Sequence, residues 1–255
     1  MLMVISPAKA LDFTPPAQTL PLTTPELKGD IAELAKTTSK LTAADLRRLM
    51  HISENLAKLN HERFQAFDPA VEDGLQAAFA FNGDVYSGLE ARKLDKAGLV
   101  WSQDHLRILS GLYGVLRPLD AMQPYRLEMG TRLKTKRGAS LYDFWGDRIS
   151  MTLNTVLEGH KDKTLVNLAS QEYFGAVDAK ALKAPVVTCH FKEEKEGMLR
   201  VLSFYAKKAR GRMARFAIDG RIDKAEELKS FDLDGYRFQP KLSTDADWIF
   251  ARPQP

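Results

Sequence analysis

Short apolar runs with strand character alternate along this 255-residue chain with longer amphipathic stretches, and that alternation restricts it to folds in which helices cover a β-sheet. Leu2 to Ser6 reads as a buried strand. Thr24 with Pro25 behind it predicts a helix start, and Leu27, Ile31 and Leu34 continue at helical spacing. Thr42 opens a second helix through Met50, and Ser53 a third. Ala77 to Phe81 predicts a strand that ends in the turn pair Asn82-Gly83. A helix from Leu94 to Leu106 is expected behind an Asp95 cap, then a strand from Arg107 to Leu112, and then one long helix over Leu141 to Leu157. Thr164 to Leu168 and Pro185 to Phe191 are further core strands. Leu199 to Phe204 runs as a strand into a helix over Ala206 to Ile218, and Phe231 to Phe250 suggests a terminal strand pair. Without a repeat, a low-complexity segment or a Ser/Gly linker, the expectation is one compact domain over residues 1–255. Its class is α/β (mixed α+β), a mixed sheet surrounded by helices.

With 44% apolar and 27% charged residues the chain can bury a sizeable core. The N-terminal MLMVISPAKALDF has no basic residue ahead of its apolar run and no small-residue cleavage site, and no apolar run approaches the roughly 18 to 20 residues of a membrane span. The single cysteine, Cys189, sits in a strand-like run and reads as a packed thiol, which together with the missing leader gives a cytoplasmic expectation.

The net charge is only +4, but it is unevenly placed. Leu106 to Gly138 holds seven Lys or Arg against two acids, and Met198 to Ile218 holds six against none. Segregated charge of this kind builds a local field that recruits a polyanion. On a helix through 206–218, Lys208, Arg212 and Arg215 fall within about 60° of one another, flanked by Lys207 and Arg210. No acid inside the segment sits at pairing distance, which separates this face from an ordinary solvated one. In the other stretch Gly111 and Gly114 flank Tyr113, and Arg117 and Arg126 lie in a Pro-punctuated loop with Tyr125. Arg offers bidentate phosphate contacts, Tyr a stacking face, and Gly a close backbone approach. The competing reading is a structural loop with Arg117 paired to Asp120 and Arg126 to Glu128. Leu41 to Phe67 forms a helix-hairpin-helix-like segment turning at His51-Ile52-Ser53, although it lacks the usual glycines and Glu54 in its first turn would repel phosphate.

Catalytic patterns are thin. The five histidines show no metal-ligand spacing, and no GxSxG, GxGxxG or P-loop occurs. Asp84, Asp120, Glu128 and Glu172 are carboxylates near Gly or aromatic residues, with turn and cap roles the commoner explanation. No cofactor or metal site is inferred.

IleSerProAlaLys at 5–9, PheAsnGlyAspValTyrSerGlyLeu at 81–89, LeuSerGlyLeuTyrGlyValLeuArgProLeuAsp at 109–120, ProTyrArgLeuGluMetGly at 124–130, AsnLeuAlaSer at 167–170 and SerPheTyrAlaLysLysAlaArgGly at 203–211 resemble the YaaA family, bacterial peroxide-stress resistance proteins. The resemblance implies a mixed α/β architecture of its own, a positively charged cleft, a helix-hairpin-helix, and binding of duplex and branched DNA that limits oxidative damage. The charge argument supplies the residues expected to hold phosphate in that cleft: Lys9, Arg117, Arg126, Lys207, Lys208, Arg210 and Arg212. The alternative is an enzyme acting on a nucleotide or another phosphorylated small molecule, with the same cations beside Asp84, Asp120 or Glu128.

Overall fold

A computed structural model describes residues 1–17, 20–71 and 73–255. The chain opens with β1 (Leu2–Ile5) and the short β2 (Ala10–Leu11), then lays down α1 (Lys28–Thr38), α2 (Ala43–Met50) and α3 (Glu54–Ala66). Next come β3 (Leu75–Gln76), α4 (Ala77–Ala80), β4 (Phe81–Asn82), α5 (Asp84–Leu89) and α6 (Lys96–His105). β5 (Leu106–Ser110), β6 (Gly114–Leu116) and β7 (Ala121–Met122) lead to α7 (Leu141–Trp145), α8 (Arg148–Glu158), β8 (Leu165–Leu168) and α9 (Gln171–Phe174). The last part holds β9 (Val186–Lys195), β10 (Met198–Arg200), α10 (Ser203–Gly220), β11 (Arg237–Phe238) and β12 (Asp247–Pro253).

The main sheet runs β11-β12-β9-β8-β1-β5-β6, with β10 paired to β9. β12, β9, β8, β1 and β5 are parallel, while β6, β10 and β11 are antiparallel additions. This confirms a mixed α/β sheet in one body. Numbered by chain order, the parallel strands read 2-1-3-4-5, a doubly wound arrangement whose order reverses between β1 and β8. Every residue of β1 is buried, as befits a strand covered on both faces. α6 and α10 pack together over β1, β5, β8 and β9.

Several expected caps hold. Thr42 and Asp45 form a capping box, Ser53 accepts from Leu56 N, and Asp95 accepts from Gly98 N at 2.6 Å. Other boundaries move. α1 begins at Lys28 because residues 23 and 24 are taken by tertiary bonds, Thr23 N to Leu119 O and Arg117 to Thr24 O. The strand expected at Ala77–Phe81 is instead a helical turn between two short strands, a short apolar run being compatible with either period. The long helix at 141–157 breaks at Gly146, where φ is 49°.

α5 crosses α10 with backbone against backbone. A Cβ on Gly88 would lie 2.1 Å from the Lys208 carbonyl oxygen, and one on Gly211 would lie 1.8 Å from that of Val85. Neither helix can back away, since α10 is pressed on the sheet through Met213, Ala214 and Ala217, all fully buried. Gly211→Ala is therefore expected to cost about 3 kcal/mol and lower Tm by roughly 6 to 12 °C. Gly29→Ala in α1, where a Cβ would meet nothing within 4 Å, should instead leave Tm unchanged or raise it slightly. Thermal melts of the two variants check both signs.

Candidate nucleic-acid interface

Three adjacent parallel strands end in serine. Ser6 follows β1, Ser110 closes β5, and Ser170 stands two residues past β8. Ser6 Oγ accepts from Ser170 N at 2.8 Å and donates to Ser170 Oγ at 3.3 Å, which ties the two strand ends at the order reversal. Tyr86 donates to the Ser6 carbonyl, and Ser110 shares a 2.6 Å hydrogen bond with Tyr125. Burial raises the phenols of Tyr86, Tyr125 and Tyr173, so at neutral pH all three are uncharged donors.

Around these hydroxyls stand charges from distant parts of the chain. Lys9 Nζ is 3.0 Å from Glu128, whose other oxygen receives Arg126 Nε at 3.1 Å and its terminal nitrogen at 2.8 Å. Glu172 accepts from Gly130 N at 3.0 Å. Lys207, in the first turns of α10, points its ammonium 3.8 Å from Asp84, beside Gly83 and its neighbour Ala8. From Glu128 and Glu172 a groove of about 470 Å³ continues past the exposed Arg132 to Arg48 and His51 at the turn between α2 and α3. Lys9 and Arg126 thus meet at Glu128 by the carboxyl edge of the sheet, where open α/β sheets bind ligands, and Lys207 stands by Asp84 near the loop that carries Lys9.

The other expected residues lie elsewhere. β6 runs back along β5, so Arg117 emerges at the opposite, amino-terminal end of the sheet. There the fully buried Asp120 takes its backbone N–H at 2.7 Å and its Nε at 3.0 Å. Asp120 also accepts from Thr23, which removes it as an acid or base in any open pocket. Arg210 turns inward beside Cys189, with its Nε buried. Arg212 is paired with Glu90 at 3.1 Å and Asp234 at 3.4 Å, and Arg215 with Asp219 at 2.8 Å. Lys208 is half-buried with its carbonyl against α5. The basic face of α10 is therefore largely neutralised by acids from outside residues 198–218. Gly111 likewise serves the chain's own packing, since a Cβ there would lie 2.2 Å from the Leu127 carbonyl.

α2 and α3 do form a helical pair turning at His51, with φ of 51°. Glu54 at the start of α3 is paired with Lys58 at 2.7 Å, so this helix end already carries its own anion. A DNA-binding role for the pair rests on the resemblance alone. Sequence reasoning overlooked Ser6, Ser170, Tyr173 and Arg132; the signal that was available is the repeated serine at the end of an apolar strand run.

Fold and site together define a doubly wound α/β protein with a cationic, hydroxyl-lined edge. Comparison with known sequences is specific. The profile of the family described as peroxide stress protein YaaA matches residues 1–242. A UPF0246 protein of Caulobacter vibrioides (strain NA1000 / CB15N) is 79% identical over the whole of both chains. One from Phenylobacterium zucineum (strain HLK1) is 68% identical over all of this chain and 96% of its own length, and one from Azoarcus sp. (strain BH72) is 52% identical over the whole of both. The chain belongs to the YaaA/UPF0246 family of peroxide stress proteins. Among the described residues no helix is long and apolar enough to cross a membrane.

Burial opposes ionisation of Glu128, but the hydrogen bonds from Arg126 and Lys9 outweigh it and hold the carboxyl below the ordinary glutamate range. A carboxyl lowered in the folded state stabilises the protein above its unfolded pKa, and that contribution is lost as pH falls through the folded value. The stability gap between wild type and Glu128→Gln, measured by urea denaturation, should close between about pH 6 and pH 3. A gap that stays constant would mean that the pairing is not electrostatic.

Proposed function

We propose that the protein binds DNA along the carboxyl edge of its sheet and limits oxidative damage to that DNA during peroxide stress. The observation that carries this reading is the convergence of Lys9 and Arg126 on Glu128, with Lys207 by Asp84 near the same loop, beside hydroxyl groups at the reversal point of a doubly wound sheet. Cations of this kind suit phosphate contacts, which position a protein on nucleic acid without reading its sequence. Phe204, 56% exposed, lies one helical turn before Lys207 and offers a ring to an unpaired base, in keeping with binding of branched as well as duplex DNA. The groove to Arg132 and Arg48 lengthens the track along which a phosphate backbone would run.

Such binding is driven by counterion release, so log affinity for duplex and junction DNA should fall linearly with log salt and vary little between unrelated sequences. Lys9→Glu combined with Lys207→Glu should weaken binding by tenfold or more, on the order of two lost phosphate contacts. Lys161→Glu with Lys224→Glu, the same charge change on exposed residues at the other end of the sheet, should cost far less. Equal losses from the two pairs, with folding intact by circular dichroism, would show a response to net charge and no localised interface.

Protection in this reading acts through bound DNA and not through thiol chemistry. Cys189 is 1% exposed and burial pushes its thiol up to about 12, so the reactive thiolate is scarce at neutral pH. Cys189→Ala should keep DNA affinity and still rescue a deletion strain from peroxide. Loss of rescue with normal folding and normal DNA affinity would turn the reading toward thiol chemistry.

A further inference from the structure

The amino-terminal end of the sheet carries a second polar cavity, of about 650 Å³, between the end of α6, the turn after α8 and the loop after β6. That volume is within the range of small-molecule sites. Arg107, at the start of β5, lines it and is only 3% exposed. One terminal nitrogen of its guanidinium donates to the carbonyls of Gln103 at 2.6 Å and Leu106 at 2.9 Å. Its Nε has no hydrogen-bond partner among the described residues. The carboxylate facing it, Glu26, stands 3.9 Å from the other terminal nitrogen, and the same oxygen is 3.8 Å from Arg117 Nε. Both separations exceed the 2.7 to 2.9 Å or so of a charge-assisted hydrogen bond. The contrast lies within the same molecule, where Asp120 meets Arg117 at 2.9 Å and Glu128 meets Arg126 at 2.8 Å.

A buried guanidinium needs close compensation, and Glu26 is a loose counterion shared between two arginines. A phosphate group presents three oxygens and can reach both guanidinium groups at once, which one carboxylate oxygen does not do here. The remaining charged groups of the lining are the Met1 α-amino group, which donates to the Asp223 carbonyl at 2.8 Å, and Asp104, Lys161 and Asp223, which are exposed at the rim. His105 and His160 also line the cavity; burial lowers both, His160 to about 4, so neither adds charge at neutral pH.

We infer that this cavity binds a phosphate monoester of mononucleotide size, its phosphate seated between Arg107 and Arg117 where Glu26 now stands. The rim carboxylates Asp104 and Asp223 suit a donor such as an exocyclic base amine. The site is at the opposite end of the sheet from Lys9 and Lys207 and does not depend on the DNA reading.

Titration calorimetry of the full chain with AMP, adenosine and inorganic phosphate tests it. AMP should bind saturably, phosphate more weakly, and adenosine not at all within the same range. Glu26→Gln, which removes the competing anion, should tighten AMP binding by about tenfold, and Arg107→Gln should weaken it by about tenfold. If Arg107→Gln fails to fold, the Glu26→Gln result decides. Absence of AMP binding up to millimolar concentration, AMP affinity unchanged in Glu26→Gln, or phosphate binding as tightly as AMP would each overturn the assignment.

Discussion

β1 commits its backbone to two parallel neighbours at once, Leu2–Ile5 pairing with Leu165–Leu168 on one side and Met3–Ile5 with Leu106–Ile108 on the other. Parallel strands cannot be joined by tight turns, so each partner has to return by a long crossover, and the helices follow from that requirement. A slip of one residue in either ladder would exchange the residues packed on its two covered faces, and with all four buried each would meet a layer packed around a different side chain. Because β5, β1 and β8 point the same way, everything after their last residues gathers at one edge and everything before their first at the other. Both polar regions of the molecule are consequences of this one strand.

Charge is distributed differently in space than along the chain. The run of cations in α10 meets Glu90 from the end of α5, Asp234 from a later turn and Asp219 from its own last turn. A close pair inside a protein outweighs longer-range terms, so what recruits an anion is what remains after such pairs are formed. At the carboxyl edge Glu128 is shared by Lys9 and Arg126, Lys207 stands 3.8 Å from Asp84, and Arg132 is exposed in the groove. At the amino-terminal edge Asp120 holds Arg117 closely, while Arg107 is buried and meets Glu26 only at long range.

What could be read in the sequence was what depends on neighbours in the chain. The caps at Thr42, Ser53 and Asp95 were legible because a short polar side chain satisfies amides two or three residues ahead. The strands at 2–5 and 165–168 were legible from short apolar runs, uninterrupted in the first and broken only by Asn167 in the second. The start of α1 was not, because Thr24 is held by Arg117 from 93 residues away. The same nonlocality governed the site. Lys9, Arg126 and Lys207 follow from charge and position after a strand or within a helix, whereas placing Arg117 required knowing that β6 runs back along β5. The helical turn at Ala77–Ala80 was ambiguous in principle, since four apolar residues fit either period.

The burial of Cys189 has a bearing on the protein's own survival as well as on its chemistry. Of eight methionines, six are also in the core, at positions 1, 3, 50, 122, 129 and 213, while Met151 and Met198 are exposed at 57% and 48%. Sulfur is the element in a protein that peroxide attacks most readily, and sulfoxide formation in a core disrupts its packing. With seven of nine sulfur atoms sealed behind the sheet and its helices, the sulfurs left open to oxidant are at two surface positions where an added oxygen displaces nothing from the core. The fold is thereby suited to remain intact in the oxidant that its family is named for.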